Sequence, residues 1–404
     1  MIKTDGHALA EPDDKAKKRS QLLVQSIKEK CDLTGGNIRF SEYMNAALYQ
    51  PGLGYYSGGL QKFGSKGDFI TAPEVSPFFG QCLATQIAEI FQNFKNHADK
   101  NLADENLYVL EFGAGSGILA VDILLQLEKL AMLPEKYLIL ELSAELQNRQ
   151  QETIQQKAPH LFERVSWLNQ LPDDVKNAVV VANEVLDAMP VECFKVNGNE
   201  VETLMVASES EKLTAYYIAD NTANEKIKSI QERSEIKLAD AYCSEFNPAI
   251  QGWLSALEDK IQRMVILLID YGYNEKEYYH PDRTAGTLMC YYRHKAHSDF
   301  FWWPGLQDIT AFVNFTDVAY SATDSKLEVA GYTTQAAFLL GNGLSDLHAA
   351  QVTDDVQQQV KLSQQIKTLT LPSEMGDRFK VMALTKNYEE ALKGFSMLDL
   401  RNRL

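Results

Sequence analysis

The chain has 404 residues, of which 45% are hydrophobic and 23% charged, the balance of an ordinary globular protein. This composition excludes a disordered chain, a collagen and a coiled coil, and no apolar run approaches the ~20 residues of a membrane-spanning helix. The 39 basic and 55 acidic residues give a net charge of −16, which disfavours nucleic-acid binding because an acidic surface repels phosphate backbones. We therefore expect neither a nucleic-acid nor a membrane partner.

The cysteines and the first residues both indicate a reducing compartment. The five cysteines are scattered and contain no C-x-x-C pair, so neither a disulfide framework nor a metal site is predicted. The first residues include Glu11 and Asp13, and they lack the apolar segment of a secretory signal and the acid-poor composition of a transit peptide. We expect the protein in the cytoplasm.

The first hundred residues predict helices and one long loop. One helix starts near Ser20 and a second near Ser41, while Ser76 is the N-cap of a third whose first residue is Pro77. Residues 51–75 show no regular period. A loop of this length is usually functional or disordered, and its Phe, Ile and Pro content argues against disorder.

The centre of the sequence alternates strands with helices. The predicted helices cover 117–131 and 144–156. The predicted strands are Tyr108–Phe112, Tyr137–Leu142, Arg164–Leu168, Ala178–Ala182 and Met264–Ile269. This βαβαβ order predicts an α/β fold with a mostly parallel, doubly wound sheet.

A segment at about 188–262 interrupts this alternation and is predicted to be an insertion, with alternating strands followed by a polar helix. Beyond it we expect a helix near 307–320 and a final strand, Phe379–Thr385. The predicted domains are an N-terminal helical region, 1–100, and an α/β core, 101–404, that carries the insertion.

The strongest local signal is a strand that leads into three alternating glycines and then a helix. The residues are Glu111, Gly113, Ala114, Gly115 and Gly117. Glycines let the turn close tightly and let a ligand touch the backbone. The start of the following helix offers free N–H groups and a positive dipole end to an anionic group.

Two cofactors fit this turn. Residues 115–120 satisfy the G-x-G-x-x-A pattern of dinucleotide-binding proteins. Glu111 and all three glycines fit the E-x-G-x-G-x-G turn of class I methyltransferases, which holds the methionine part of S-adenosyl-L-methionine. The dinucleotide register starts two residues later, inside the expected helix, so the pattern favours the methyltransferase turn.

An acidic residue at the end of the next strand indicates a nucleoside cofactor, but it fits a dinucleotide and S-adenosyl-L-methionine equally well. Glu141 follows the strand and can accept hydrogen bonds from both ribose hydroxyls. Leu142 lies beside it, and Leu168 ends the third strand, where the adenine ring lies in this fold.

The fourth strand ends in polar residues at the edge where open α/β sheets bind their ligands. Asn183 is a candidate for cofactor binding, and Glu184 and Asp187 are candidate catalytic residues. Methyl transfer needs an in-line approach, and a cationic guanidinium acceptor is a poor nucleophile. Paired carboxylates could bind its edges, orient one nitrogen and draw off positive charge.

Several blocks of sequence together resemble the MidA-like family of S-adenosyl-L-methionine-dependent methyltransferases, which is related to the mitochondrial arginine methyltransferase of respiratory complex I assembly. The resemblance spans roughly residues 38–386. The blocks are 40–56, 67–76, the glycine turn, 183–191, 307–310 and 375–384.

The resemblance implies a class I methyltransferase fold with an added helical part, S-adenosyl-L-methionine as cofactor and a protein arginine as acceptor. It also implies that Gly67, Asp68, Phe69 and Thr71 close over the cofactor, so the N-terminal region contains a lid. The implied partner is a protein substrate, with a respiratory complex subunit as the candidate. Apart from the resemblance, a second copy of the chain in a homodimer is a further candidate partner. Without a transit peptide, the chain resembles the bacterial members.

The sequence departs from the family at a few positions. Leu306 stands where the family often has Glu, and Asn314 where it often has Asp, so the substrate could differ. Ala114 and Ser116 stand where the mitochondrial branch has Pro and Arg. Two alternatives to the methyltransferase stay open: a non-enzymatic assembly or scaffold protein that keeps the fold, and a dinucleotide-dependent oxidoreductase.

Overall fold

The computed structural model describes residues 9–58, 71–96, 106–209 and 212–404. In chain order the helices are α1 (Asp14–Leu33), α2 (Phe40–Tyr49), α3 (Ala72–Val75), α4 (Pro77–Asn96), α5 (Ile118–Lys129), α6 (Ala144–Lys157), α7 (Asn221–Ser234), α8 (Ile250–Lys260), α9 (Glu275–Tyr278), α10 (Phe315–Asp324), α11 (Gln335–Gly341), α12 (Leu344–Ala349) and α13 (Val356–Thr370). Short 3₁₀ helices cover Pro159–Arg164, Lys393–Phe395 and Arg401–Arg403.

The strands, in chain order, are β1 (Asn37–Arg39), β2 (Leu107–Phe112), β3 (Lys136–Leu140), β4 (Val165–Leu168), β5 (Val175–Asn183), β6 (Glu192–Asn197), β7 (Glu200–Glu209), β8 (Lys212–Ala219), β9 (Cys243–Phe246), β10 (Ile261–Tyr273), β11 (Met289–Tyr292), β12 (Lys295–His297), β13 (Asp308–Thr310), β14 (Val313–Asn314), β15 (Glu328–Thr334) and β16 (Phe379–Lys386). Within the described ranges, no helix is long and apolar enough to cross a membrane.

The chain forms two compact units, each assembled from separate stretches of sequence. The first contains the described residues of Met1–Phe69, Leu186–Ile250 and Tyr273–Asn314. The second contains those of Ile70–Val185, Gln251–Gly272 and Phe315–Leu404. The unit boundaries differ from the division predicted at residue 100, because residues of both predicted domains contribute to each unit.

The second unit is built on a twisted sheet with strand order β15-β16-β10-β5-β2-β3-β4. The neighbouring strands β10, β5, β2, β3 and β4 run parallel to one another. At the β10 edge of this group, β16 pairs antiparallel with β10, and β15 pairs antiparallel with β16. In register, Val180 lies opposite Leu110 on one side and Ile266 on the other. Strands of this kind are buried on both faces, which explains their continuous apolar runs. The predicted α/β fold with a mostly parallel sheet is confirmed.

Helix α4 belongs to the second unit because its apolar face joins the core of that unit. Phe79, Leu83 and Ile87 share one buried cluster with Leu124 of α5 and with sheet residues. Gly80 allows α4 to approach α5 closely, since a Cβ at that position would lie 2.6 Å from the Cβ of Asp122. This contact half-buries the Asp122 carboxyl at the helix interface.

The first unit contains an antiparallel sheet in the order β1-β7-β6-β9, with β8 paired to β7. In the pairing of β1 with β7, Ile38 lies opposite Val206. The apolar sides of α1 and α2 pack with this sheet, through Leu23, Tyr43 and Val206 among others. A smaller antiparallel sheet has the order β12-β11-β13. The strands of the predicted insertion up to residue 250 lie in this unit.

The helix predicted near 307–320 is wrong over its first half. Residues 308–310 form β13, which pairs with β11, and the helix begins only at Phe315. The β-branched side chains of Ile309 and Thr310 favour an extended backbone, and a partner strand is available to them.

Candidate functional site

The glycine turn lies between the end of β2 and the start of α5. Gly113, Gly115 and Gly117 all have positive φ angles, of 61°, 53° and 83°. The Gly117 N–H donates to the carbonyl of Ala114 over 2.7 Å, which closes the turn. A Cβ on Gly117 would lie 3.0 Å from the Cα of Gln150, so both φ and space exclude a larger residue there.

Glu111 lies beneath the turn, inside the sheet. Its side chain is only 2% exposed, and its Oε2 accepts a hydrogen bond from the Tyr137 hydroxyl over 2.8 Å. Burial raises the pKa of Glu111 to about 7, although the Tyr137 bond lowers it. The buried carboxyl of Glu111 therefore links strand β2 to strand β3 through the hydroxyl of Tyr137.

Glu141, directly after β3, belongs to a buried hydrogen-bond network centred on Gln150 of α6. Gln150 is completely buried, and its Nε2 donates to Glu141 Oε2 over 3.0 Å and to the Gly115 carbonyl over 3.2 Å. Its Oε1 accepts from Trp167 Nε1 over 2.9 Å. The backbone N–H of Ser143 donates to the other oxygen of Glu141 over 2.9 Å. One side chain thus joins the glycine turn, the acid after β3 and strand β4.

A cavity of about 350 Å³ opens at the end of β4. Its lining residues are Gln147, Trp167, Leu168, Asn169, Gln170, Leu171, Pro172 and Asp173. Leu142, the residue that follows Glu141, is 68% exposed. The volume is at the small end of the range for ligand pockets, and the lining includes apolar and polar groups.

The end of β5 presents an acceptor atom and a strained acid. Asn183 Nδ2 donates to Glu184 Oε1 over 3.3 Å, whereas Asn183 Oδ1 is buried and has no hydrogen-bond partner among the described residues. Glu184 has a φ of 53°, in the left-handed region that residues other than glycine avoid, and its N–H donates to the Ile269 carbonyl over 2.9 Å. Backbone strain of this kind concentrates at functional sites.

Asp187 lies in the first unit, in a cluster of buried polar groups. Its Oδ2 accepts from the Thr310 hydroxyl over 3.1 Å. Asp308 Oδ1 accepts from the Tyr56 hydroxyl over 3.0 Å, and Tyr56 stacks on Tyr49. Burial raises the pKa of Tyr56 well above its usual value, and the charges of Asp308 and Asp187 raise it further. The first unit thus holds two buried acids with tyrosine and threonine hydroxyls.

The predicted site residues fall in both units. The glycine turn and Glu141 are connected through Gln150, whereas Glu184 and Asp187 lie in different units. Thr71 precedes α3, and the predicted residues Gly67, Asp68 and Phe69 lie outside the described ranges.

The sequence reasoning missed Gln150, Tyr56 and Asp308. Nothing in the polar sequence of α6 sets Gln150 apart. Tyr56 and Asp308 both fall in blocks that carry the family resemblance, and that was the available signal.

Comparison with known proteins agrees with the glycine turn. Residues 82–333 match a family of S-adenosyl-L-methionine-dependent methyltransferases. The chain is 27% identical to the mitochondrial protein arginine methyltransferase NDUFAF7 homologue of Drosophila melanogaster, over 93% of this chain and 87% of the relative. It is 28% identical to human NDUFAF7, over 86% of this chain and 80% of the relative.

A crystal structure from Burkholderia thailandensis, bound to S-adenosyl-homocysteine, has a TM-score of 0.90 and 37% identity. The match covers 98% of this chain and 100% of that one. Together the matches confirm the resemblance seen in the sequence blocks. They also favour S-adenosyl-L-methionine over a dinucleotide as the cofactor.

Proposed function

This chain belongs to the family of S-adenosyl-L-methionine-dependent methyltransferases, and from that membership we propose that it methylates arginine side chains of a protein substrate. The relatives in Drosophila melanogaster, Danio rerio and humans are named protein arginine methyltransferases. Each match covers most of both chains, which supports carrying the acceptor class over to this protein.

The residues present fit the cofactor. Ser143 N–H and Gln150 Nε2 each donate to one oxygen of Glu141, which fixes the orientation of the carboxylate proposed to accept from the ribose hydroxyls. The buried Oδ1 of Asn183 is an acceptor that lacks a donor within the described part of the chain. The proposed cofactor-binding residues are Glu111, Gly113, Ala114, Gly115, Gly117, Glu141, Leu142, Leu168, Asn183 and Thr71, together with Gly67, Asp68 and Phe69.

The acceptor chemistry is assigned to Glu184 and Asp187. Bound S-adenosyl-L-methionine supplies a methyl group on a sulfonium. A guanidinium nitrogen must be oriented toward that methyl and must lose one proton, and carboxylates serve both needs. The observation that carries the proposal is the left-handed backbone of Glu184 at the carboxyl end of β5, where α/β sheets bind ligands.

Methyl transfer to peptides tests the function. The purified chain is incubated with methyl-labelled S-adenosyl-L-methionine and arginine-containing peptides, and acid hydrolysates are analysed for methylarginines. Matched peptides with lysine in place of arginine are the control. Label in methylarginine only is the expected result. Label in methyllysine contradicts the proposed acceptor, and cofactor binding without any product favours a non-enzymatic assembly role.

Finer proposals concern the partner and the compartment. On the strength of the family resemblance we propose a respiratory complex subunit as substrate, and we propose a homodimer as the working form. A bacterial origin is supported by the 37% identity to the Burkholderia protein, which exceeds the 27% and 28% to the Drosophila and human relatives. A cytoplasmic location is supported by the cysteines, since all five are free thiols.

A further inference from the structure

An unassigned carboxylate contacts the glycine turn. Glu74 lies in the short helix α3, and its Oε1 accepts a hydrogen bond from the Ser116 hydroxyl over 2.5 Å. Ser116 stands between Gly115 and Gly117, so the bond joins Glu74 to the turn itself. Both residues belong to the second unit, and Glu74 is half-buried. Nothing in the sequence indicates that these two side chains form a pair.

Glu74 lies near a second acid. Within the described ranges it forms no ion pair, and the charged group it influences is another acid, Asp122 of α5. Burial raises the pKa of Asp122 to about 7, and the charge of Glu74 raises it further, against the opposing effect of Lys157. A carboxylate in this position can accept a hydrogen bond from a cationic group, which would also offset the repulsion between Glu74 and Asp122.

A further acceptor, which lacks a donor among the described residues, lies at the end of the neighbouring strand β5. Ala182 of β5 is the register partner of Phe112 of β2, so Asn183 and Gly113 follow side by side at the carboxyl ends of neighbouring strands. The Oδ1 of Asn183 is buried and has no hydrogen-bond partner in the part of the chain that the structure describes. The turn is therefore accompanied by two acceptors, one of them a carboxylate that forms no ion pair in the part of the chain described.

The amino-acid end of S-adenosyl-L-methionine has the complementary charges. Its carboxylate matches the N–H groups and positive dipole end at the start of α5. Its ammonium has three donors and a positive charge, and needs acceptors on the other side of the turn. We propose that Glu74 binds this ammonium group, with Ser116 as the residue that positions the Glu74 carboxylate. The proposal rests on the cofactor site described above.

The Ser116 bond leaves the second oxygen of Glu74 for the ligand. Because Ser116 occupies Oε1, the carboxylate keeps one orientation, and Oε2 retains its lone pairs. A charge-assisted hydrogen bond of this kind is about twice as strong as a neutral one. Asn183 Oδ1 offers a further, neutral acceptor for the same group.

A binding cycle in calorimetry tests the contact. The ligands are S-adenosyl-homocysteine and the same molecule without its α-amino group. The full-length proteins are wild type, Glu74→Gln, Ser116→Ala and the matched control Glu152→Gln, which neutralises an exposed carboxylate on α6. Circular dichroism and thermal unfolding check that each variant is folded.

For wild type and Glu152→Gln, removing the amino group is expected to weaken binding by about tenfold or more. For Glu74→Gln, S-adenosyl-homocysteine itself binds about tenfold more weakly, and removal of the amino group then changes the affinity less than about threefold. Ser116→Ala gives an intermediate loss.

If the effects of Glu74→Gln and of amino-group removal simply add, Glu74 does not bind the ammonium and the proposal is overturned. Unchanged affinity in Glu74→Gln overturns it as well. Wild type that binds neither ligand contradicts the proposed cofactor site itself, which separates the two failures.

Discussion

The side-chain amide of Gln150 donates a hydrogen bond to the carboxylate of Glu141 across 3.0 Å, from the interior of a helix whose sequence is almost entirely polar. The same amide reaches the Gly115 carbonyl and accepts from Trp167. A neutral side chain thus fixes both the acid proposed to bind ribose and the turn proposed to bind methionine. Its amide can serve as donor and acceptor at once, which a carboxylate or an ammonium could not.

Gln150→Met is expected to destabilise the protein by about 3 kcal/mol or more, because the volume is kept while Glu141, Gly115 and Trp167 lose buried hydrogen bonds. Urea unfolding followed by circular dichroism measures the free energy. S-adenosyl-homocysteine is expected to bind at least about tenfold more weakly. The exposed Gln155→Met on the same helix is the control, with a change within about 0.5 kcal/mol. Equal effects of the two substitutions would contradict the network.

Gly117→Ala is expected to abolish measurable cofactor binding and to destabilise the fold by about 1–3 kcal/mol, because φ is 83° and the added Cβ would lie 3.0 Å from Gln150 Cα. Gly252→Ala is the matched control. Gly252 lies in α8 with nothing within 4 Å of an added Cβ, so alanine should stabilise the helix by up to about 1 kcal/mol. Calorimetric titration and thermal unfolding give the two readouts; a tolerated Gly117→Ala would refute the requirement for glycine.

Asp122→Asn is expected to stabilise the protein at pH 8 and to have little effect near pH 4. In the folded protein burial raises the pKa of Asp122 from 3.8 to about 7, so the native state holds its proton more tightly than the unfolded chain. The free energy of unfolding therefore falls as pH rises from about 4 to about 7. The substitution removes this loss, with an expected gain in Tm of about 2–4 °C at pH 8.

Thermal unfolding across pH 4–8 measures the effect of Asp122→Asn. Part of the slope should remain in the variant, because burial also raises the pKa of Glu111 to about 7. The exposed Glu135→Gln is the control, and its curve should run parallel to that of wild type. A gain in Tm that is the same at pH 4 and pH 8 would show that the charge of Asp122 is not its cause.

Glu184→Gln and Asp187→Asn, tested separately, are expected to lower kcat for methyl transfer by about 10²–10⁴ while the affinity for S-adenosyl-homocysteine stays within about twofold. The physical reason is loss of the negative charge proposed to orient the guanidinium and to take up its proton. Steady-state kinetics with an arginine peptide and calorimetry give the two quantities. Exposed Glu163→Gln should leave both unchanged. A variant with full activity would remove that acid from the catalytic assignment.

Local signals account for the parts of the fold that the sequence predicts. The β-branched run at 178–182 and the glycine spacing after Phe112 act within about ten residues, so β5, β2 and the turn could be recognised without knowledge of the rest. The same holds for α4, whose N-cap Ser76 accepts from the Phe78 N–H, as expected for a helix that starts with proline.

The other parts of the fold and of the candidate site depend on contacts between residues far apart in the chain, which no local sequence pattern predicts. Gln150 is one of several glutamines in α6 and is distinguished only by the convergence of β4, Glu141 and the turn upon it. Asp308 lies in a three-residue strand that exists because β11 pairs with it. Glu74 and Ser116 meet across 42 residues of chain.

The pairing of β1 with β7 has a consequence for biosynthesis. Ile38 cannot meet its register partner Val206 until the ribosome has added the 168 residues from position 38 to position 206, which takes on the order of ten seconds or more at ~5–20 residues per second. Until β7 has been made, the apolar sides of α1 and α2 lack the sheet against which they pack in the folded protein. The nascent chain thus exposes its first helices for a long interval, and a product that terminates before β7 retains them uncovered as a target for chaperones and proteases.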